Sequence, residues 1–325
     1  MSRALVHRPV AVNAITLHIA EAGSGPLVLL CHGWPELWYS WRHQLPALAA
    51  AGFHVVAPDM RGFGASAAPA PVDRFTLLDN VADMVALVGA LGEKQAVIIG
   101  HDWGAPVAWH AALLRPDIFH AVAGLSIPYQ PPGGMALTER MRRAGVEGFY
   151  QLYFQKPGVA EAELEADVEA SLRKFYWSLG GEAQSIRTYK AVVPKGGGLL
   201  DTCLDCGDAL PAWLTRADLD VFVAAYRQAG FRGGLNWYRN IDANAQLLLP
   251  WRDRKIEVPA LFIGGAADPA TAPPAAREIV ANQRATVPKL ATSVMLAGCG
   301  HWTQQERHHE VNKLLTEFLW GLELR

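Results

Sequence analysis

Short, continuous apolar runs alternate with amphipathic segments along most of the chain, and this alternation predicts β-strands separated by helices. The strand candidates are apolar at nearly every position, which is typical of parallel strands covered on both faces. They are residues 26–33, 53–59, 94–102, 120–128, 258–268 and 292–301. Helices are expected between them, for example over Asn80–Leu91 and Trp103–Arg115. The pattern predicts an α/β fold with a mostly parallel, doubly wound sheet.

The strand pattern is interrupted in the middle of the chain. Charged amphipathic helices are predicted there, over residues 161–179 and over residues 219–230, where Gly230 ends the second helix. A helical block between two α/β segments indicates an inserted cap rather than a second domain in series. The predicted division is a core of residues 1–128 and 246–325 and an all-helical cap of residues 129–245.

Composition excludes several classes of function. The chain has 325 residues, 18% of them charged, and a formal net charge of −2, so no basic excess indicates nucleic acid. No apolar run approaches the ~20 residues that span a bilayer, and no signal-peptide pattern opens the sequence, so we expect a cytoplasmic protein without a membrane span. Cys31 and Cys299 lie in apolar runs and are expected to be buried. Cys203 and Cys206 have C-x-x-C spacing but no second pair, and a chance pair in a loop is favoured over a zinc or redox site.

The segment "QAVIIGHDWGAPVAWHAALL", residues 95–114, has the pattern of a strand, a sharp turn and a helix. Gly100 and Gly104 flank Asp102 in the turn, which is the position of the nucleophile in hydrolases with a Gly-x-nucleophile-x-Gly elbow. The alternative is that Asp102 only caps the following helix. An ionised carboxylate needs no base for its first attack, so an Asp nucleophile indicates reaction at an sp³ carbon through an alkyl ester.

Hydrolysis of such an ester requires a base and a group that orients it. His301, in "LAGCGHWTQQE", follows the last strand candidate and fits the order nucleophile, acid, base. Asp268 ends the preceding strand candidate and is the predicted acid, although an Asp before Pro269 is also a common turn former.

An oxyanion hole is expected beside the nucleophile. The backbone N–H groups of Trp34, in "LLCHGWPELWYSW", and of Trp103, the residue after Asp102, can both point at one oxygen. A cis bond between Trp34 and Pro35 would aim the first of these groups. His32 is expected to have a structural role.

Several motifs together resemble α/β-hydrolase-fold epoxide hydrolases of the soluble type, in their hydrolase domain only. They are "HGWPELWYSWRHQLPAL", "APDMRGFGAS", "GHDWG", "YQLYFQKPGVAEAELE", "GFRGGLNWYRN" and "GCGHWTQ", and the match runs from about residue 10 to the C-terminus. The resemblance implies that two cap tyrosines bind the epoxide oxygen, at the matching positions Tyr150 and Tyr238, with Tyr153 as the rival of Tyr150. One segment, "GGAADPATAPP", departs from the family pattern around the acid.

The resemblance implies hydrolysis of an epoxide to a vicinal diol without a metal or an organic cofactor. Asp102 would attack the ring while Tyr150 and Tyr238 hold its oxygen, and His301, oriented by Asp268, would activate water. The expected partners are a small hydrophobic epoxide and water, and a homodimer is left open.

The indoles of Trp34 and Trp103 are expected to line the substrate pocket. A haloalkane or haloacid dehalogenase would use the same Asp–His–Asp residues and is the main alternative. A non-catalytic ligand-binding protein on the same fold is the minor one.

Overall fold

A computed structural model of the chain describes residues 5–183, 191–271 and 274–323. Its strands form one eight-stranded sheet in the order β1-β2-β4-β3-β5-β6-β7-β8. The strands are β1 Val6–Val12, β2 Ile15–Gly23, β3 Leu27–Cys31, β4 His54–Pro58, β5 Ala96–His101, β6 Phe119–Leu125, β7 Ala260–Gly265 and β8 Leu290–Leu296. Strands β1 and β2 pair antiparallel, β2 and β4 likewise, and every other pairing is parallel. The predicted α/β class with a mostly parallel sheet is confirmed.

Helices cover both faces of the sheet. The α-helices are Gln44–Ala50, Leu77–Ala90, Gly104–Leu114, Leu137–Arg143, Tyr150–Tyr153, Val159–Ala166, Val168–Ser178, Arg216–Ala229, Arg232–Arg239, Ile241–Leu247, Pro274–Asn282, Thr303–Glu306 and His308–Trp320. Short 3-10 turns lie at Trp38–Trp41, Val72–Arg74, Gly181–Ala183, Leu199–Thr202, Leu249–Trp251 and Gln283–Ala285. Among the described residues, none of the helices combines the length and the apolar composition that a membrane crossing requires.

Strand β3 shows how continuous apolar runs produce two cores. Leu29 packs in the core that contains helices Leu77–Ala90 and Gly104–Leu114. Its neighbour Val28 faces the opposite side and packs with helices Gln44–Ala50 and His308–Trp320. Successive strand side chains point to opposite faces, so a strand between two helical layers must be apolar at every position.

Two strands are missing from the predicted set. Strands β1 and β2 lie at one edge of the sheet, and their residues alternate between exposed and buried instead of being buried throughout. A search for uniformly apolar runs does not detect such half-exposed antiparallel strands.

The single helix predicted over residues 161–179 is wrong. Two helices lie there, because Asp167 adopts an extended conformation (φ −145°, ψ 91°) and its side chain accepts a hydrogen bond from the N–H of Ala170 at 3.0 Å. Asp is a strong N-cap and begins the second helix where the charge pattern indicates continuity. The helix predicted over 219–230 is confirmed, starting three residues earlier at Arg216 and followed by Gly230 at φ +70°.

Between β6 and β7 the described residues form helices joined by turns and loops, and the β pairing among them is one isolated bridge between Phe149 and Val192. This segment contacts the rest of the chain closely at Gly233, where an added Cβ would lie 1.9 Å from the backbone oxygen of Gly62. The Trp237 indole also donates to the carbonyl of Arg61 at 3.0 Å. The exact bounds of the cap stay a prediction.

Candidate active site

The elbow after β5 has the geometry that its glycines indicate. Asp102 has φ +49°, in the left-handed region that non-glycine residues rarely adopt. A Cβ on Gly100 would lie 1.9 Å from the oxygen of Gly104, and one on Gly104 would lie 2.0 Å from the oxygen of Cys31. Strand, turn and helix are therefore packed too closely for larger residues, and the strained turn raises Asp102 above the sheet.

The two carboxylate oxygens of Asp102 have different neighbours. The N–H of Trp34 donates to Oδ1 at 2.8 Å, while Nε2 of His301 lies 3.3 Å from Oδ2. Gly33 makes this approach possible, because a Cβ there would lie 2.3 Å from Oδ1. The bond between Trp34 and Pro35 is cis. Oδ1 is thus bound by a backbone N–H, and Oδ2 faces the His301 imidazole.

His301 and Asp268 form the next pair. Asp268 follows β7, is fully buried, and both of its carboxylate oxygens lie 3.1 Å from Nδ1 of His301. Ser126, which the sequence analysis missed, completes the contact. Its hydroxyl donates to Asp268 and lies 2.8 Å from Nδ1 of His301. Ser126 follows β6 at φ +68° and lies inside the strand candidate of residues 120–128. A polar residue near the end of that apolar run is the pattern that could have indicated it.

Charge determines the protonation of this pair. Burial alone would lower the pKa of His301, but Asp268 and Asp102 outweigh it and hold that pKa well above its usual value. Burial would raise the pKa of Asp268, and His301 together with the Ser126 hydroxyl lowers it. His301 is therefore protonated and Asp268 ionised near neutral pH.

A second buried pair supports the elbow. Nδ1 of His101 lies 2.7 Å from Glu36, and its Nε2 lies 2.7 Å from the carbonyl oxygen of His301. Glu36 also accepts from the N–H of Gly33 and from the Gln304 amide. Burial opposes ionisation of Glu36, yet His101 and these donors lower its pKa to about 2. Both ring nitrogens of His101 thus lie within hydrogen-bond distance of buried oxygen atoms. The sequence analysis assigned neither residue.

The two predicted tyrosines lie together near the carboxylate. The rings of Tyr150 and Tyr238 have centroids 6.1 Å apart, and Tyr238 lies edge-on to Trp103 at 5.1 Å and to Trp34 at 5.7 Å. Burial raises the pKa of Tyr150 to about 12, with smaller contributions from the negative charges of Asp102 and Asp268. The phenol therefore keeps its proton near neutral pH.

Two glutamines position the tyrosines, and the sequence analysis missed both. The Gln151 amide donates to the Tyr150 phenol oxygen at 2.9 Å, which leaves the phenol proton available. Gln155 donates to the carbonyls of Gln151 and Tyr238 at 2.8 and 2.9 Å, so it links the two tyrosine-bearing helices. Their positions one and five residues after Tyr150 are the only pattern that could have indicated them.

The remaining candidates have structural partners. The Tyr153 hydroxyl donates to Glu163 at 2.7 Å, whereas Tyr150 bonds to Gln151. The His32 ring lies 2.8 Å from the oxygen of Gly33 and accepts from the N–H of Met60 at 2.9 Å.

The four cysteines are free thiols, with Cys31 and Cys299 buried as predicted and Cys203 and Cys206 partly buried. Of the loop after Asp268, residues 272 and 273 lie outside the described ranges.

Comparisons with known proteins bear on the fold and the family. A family model described as the alpha/beta hydrolase fold matches residues 26–307. Epoxide hydrolase A of Mycobacterium tuberculosis is 42% identical over 98% of both chains. The bifunctional epoxide hydrolase 2 of Sus scrofa is 39% identical over 97% of this chain and 55% of its own length.

Solved structures show the same likeness. An epoxide hydrolase from an endophytic Streptomyces superposes with a TM-score of 0.93 at 49% identity, covering 98% of this chain and 96% of its own. Epoxide hydrolase A from Mycobacterium thermoresistibile has a TM-score of 0.91 at 43% identity, covering 99% and 100%. The resemblance seen in the sequence motifs is confirmed, and the chain belongs to the epoxide hydrolases of the α/β-hydrolase fold.

Proposed function

We propose that the chain converts a hydrophobic epoxide to a vicinal diol through an ester on Asp102. The strongest support comes from the different contacts of the two Asp102 carboxylate oxygens. The Trp34 N–H donates to Oδ1, whereas Oδ2 accepts no backbone donor from the described residues and lies 3.3 Å from Nε2 of His301, so we expect Oδ2 to attack. The aromatic rings of Trp34, Trp103 and Tyr238 favour an apolar substrate.

In the first half-reaction, Oδ2 of Asp102 forms a bond to an oxirane carbon, and the ring C–O bond breaks with its electrons going to oxygen. Tyr150 or Tyr238 gives that oxygen a proton. Esterification removes one of the two negative charges that raise the pKa of His301. His301 therefore releases a proton, which restores the phenol and balances the step.

In the second half-reaction, neutral His301 takes a proton from water, and the water oxygen bonds to Cγ of the ester. The negative charge that develops on Oδ1 is stabilised by the N–H groups of Trp34 and Trp103. Collapse breaks the ester bond, the diol oxygen leaves with the proton of the new carboxyl group, and Asp102 returns to its ionised form. His301 is protonated again, as at the start.

The ester itself is the test. In a His301→Gln variant incubated with styrene oxide, we expect Asp102 to gain the mass of the epoxide and to keep it, because ring opening needs no base and hydrolysis does. Mass spectrometry of the peptide containing residue 102 locates the adduct. The double variant with Asp102→Asn is the control and should show none. Absence of an adduct with several epoxides would contradict the proposal.

Leaving-group chemistry separates this function from the dehalogenase alternative. A halide has no need of two phenol donors, whereas an alkoxide does. Diol formation from styrene oxide should therefore be faster than halide release from a haloalkane. The reverse order of rates would favour the dehalogenase.

A further inference from the structure

Glu306 is a partly buried carboxylate that the mechanism above does not use. Its Oε2 accepts from the backbone N–H of Gly300 at 2.8 Å and of Gly181 at 2.9 Å, and its Oε1 accepts from the N–H of Trp302 at 3.0 Å. Three backbone donors on one carboxylate make a strong, directional clamp, because hydrogen bonds to an ionised acceptor are stronger than neutral ones.

The hydrogen bonds of Glu306 lie on both sides of His301, the proposed base. Gly300 and Trp302 are the two neighbours of His301 in the chain, so Glu306 holds the amide on either side of it. The N–H of His301 itself donates to the carbonyl of Leu179 at 2.8 Å. All three consecutive amides of residues 300–302 thus have acceptors that fix the path of the loop.

The same carboxylate reaches the segment inserted between β6 and β7. Leu179 and Gly181 follow the helix Val168–Ser178, and a Cβ on Gly300 would lie 2.4 Å from both the Leu179 oxygen and the Gly181 nitrogen. The loop containing His301 and the end of this helix are therefore in direct backbone contact, with Glu306 bonded to both.

We infer that Glu306 is a positioning residue for the hydrolytic half-reaction, which holds the backbone of His301 against the end of the helix Val168–Ser178 so that Nε2 aims at water beside the ester. This rests on the proposed function. In ring opening Asp102 attacks and a tyrosine protonates the oxygen, and the proton from His301 only restores the phenol. Water activation, in contrast, depends directly on the placement of Nε2, and displacements near 1 Å can cost about 100-fold in rate.

The test compares the two half-reactions in Glu306→Gln and Glu306→Asp. Gln preserves the size of the side chain but places an N–H₂ against a backbone N–H, whereas Asp preserves the charge. Single-turnover experiments with styrene oxide, quenched and analysed by mass spectrometry, give the rates of ester formation and decay separately. Glu310→Gln, which changes an exposed carboxylate in the helix His308–Trp320, is the matched control.

For Glu306→Gln we expect ester formation within about 3-fold of wild type and decay slowed by about 10-fold or more, so that the ester accumulates. Glu306→Asp should recover part of the loss, and Glu310→Gln should match wild type. Equal slowing of both half-reactions, or unchanged decay, would overturn the inference. If Glu306→Gln does not fold, as judged by circular dichroism, the Glu306→Asp variant tests the inference. Its ester should decay more slowly than the wild-type ester while ester formation is unchanged, and a decay rate equal to wild type would overturn the inference.

The outcome for His301→Gln separates this inference from the proposed function. If that variant never forms an ester, the proposed function fails. If it does form one while Glu306→Gln hydrolyses normally, only the positioning role fails.

Discussion

At the scale of single residues, the proposed mechanism uses the position of His301 between two carboxylates, Asp268 and Asp102, to make one imidazole an acid in the free protein and a base after the ester has formed. In the proposed mechanism, Asp268 stays ionised throughout, while Asp102 loses its charge on forming the ester. The change in the His301 pKa is therefore produced by the reaction itself, without any movement of the ring.

Asp102→Asn should mimic this loss of charge. We expect the pKa of His301 to fall, because a carboxylate that raises it is removed, and diol formation to fall by at least about 10³-fold, because the nucleophile is lost. An NMR titration of the His301 ring and a product assay measure the two effects. An unchanged His301 titration would contradict the electrostatic part, and residual turnover near wild type would exclude Asp102 as the nucleophile.

The roles of Tyr150 and Tyr238 in ring opening can be tested by removing their hydroxyl groups. Tyr150→Phe and Tyr238→Phe should each slow ester formation by about 10-fold to 100-fold, and the double variant much more, because each removes a donor to the developing alkoxide. Tyr153→Phe is the control, since its hydroxyl is bonded to Glu163 rather than placed beside Tyr238. Stopped-flow experiments measure the rate of ester formation in each variant. An unchanged rate in the double variant would show that neither tyrosine takes part in ring opening.

At the scale of elements, the elbow between β5 and the helix Gly104–Leu114 depends on close backbone approach. Gly104→Ala should lower the free energy of unfolding by about 1–3 kcal/mol, because the new methyl group would lie 2.0 Å from the oxygen of Cys31 and the backbone must shift. Urea denaturation measures the loss.

The control for the elbow is Gly89→Ala. Gly89 lies in the helix Leu77–Ala90, where an added Cβ meets nothing within 4 Å. Alanine there should be neutral or stabilising by up to about 1 kcal/mol, because it favours the helix. Equal effects of the two substitutions would show that the approach at Gly104 is not tight.

The parallel strands and the elbow were predictable because both depend on local composition. Strands β3 to β7 are buried on both faces and are therefore apolar almost throughout, whereas β8, at the edge of the sheet, is largely exposed. The order of Asp102, Asp268 and His301 follows from the order of strand ends. The structure brings these three residues together, while their chemical roles remain proposals.

Other parts of the site were not predictable, because they depend on contacts between distant segments. Ser126 and Glu306 are ordinary polar residues until the fold places one beside Asp268 and the other against three backbone amides. The break at Asp167 was missed for a different reason. A single capping side chain outweighs the amphipathic pattern of the residues on either side of it.

At the scale of the whole molecule, buried polar contacts join segments far apart in the chain. Glu36 follows β3, its partner His101 ends β5, and Gln304 comes from the segment after β8. Glu36 thus connects the first half of the core to the last, next to the elbow. The pKa of this buried carboxyl is lowered in the folded protein, so folding should depend on pH through Glu36.

The sign follows from the lowered pKa of Glu36. The pKa of Glu36 is about 2 in the folded protein, compared with an ordinary value of 4.5, so the folded state binds the proton less tightly than the unfolded state. The contribution of Glu36 to stability is then present above about pH 4.5 and is lost as the pH falls towards about 2. A difference of this size corresponds to roughly 3 kcal/mol.

In Glu36→Gln, the free energy of unfolding should therefore fall less steeply as the pH is lowered into the acid range. Between pH 6 and pH 2 we expect wild type to lose roughly 3 kcal/mol more unfolding free energy than the variant, as measured by urea denaturation at each pH. Other carboxylates titrate in both proteins, so the difference isolates Glu36. Glu310→Gln, on the surface, should follow the wild-type curve. Parallel curves for wild type and Glu36→Gln would mean that Glu36 is not held ionised by His101, and the link between the two halves of the core would then need another source of stability.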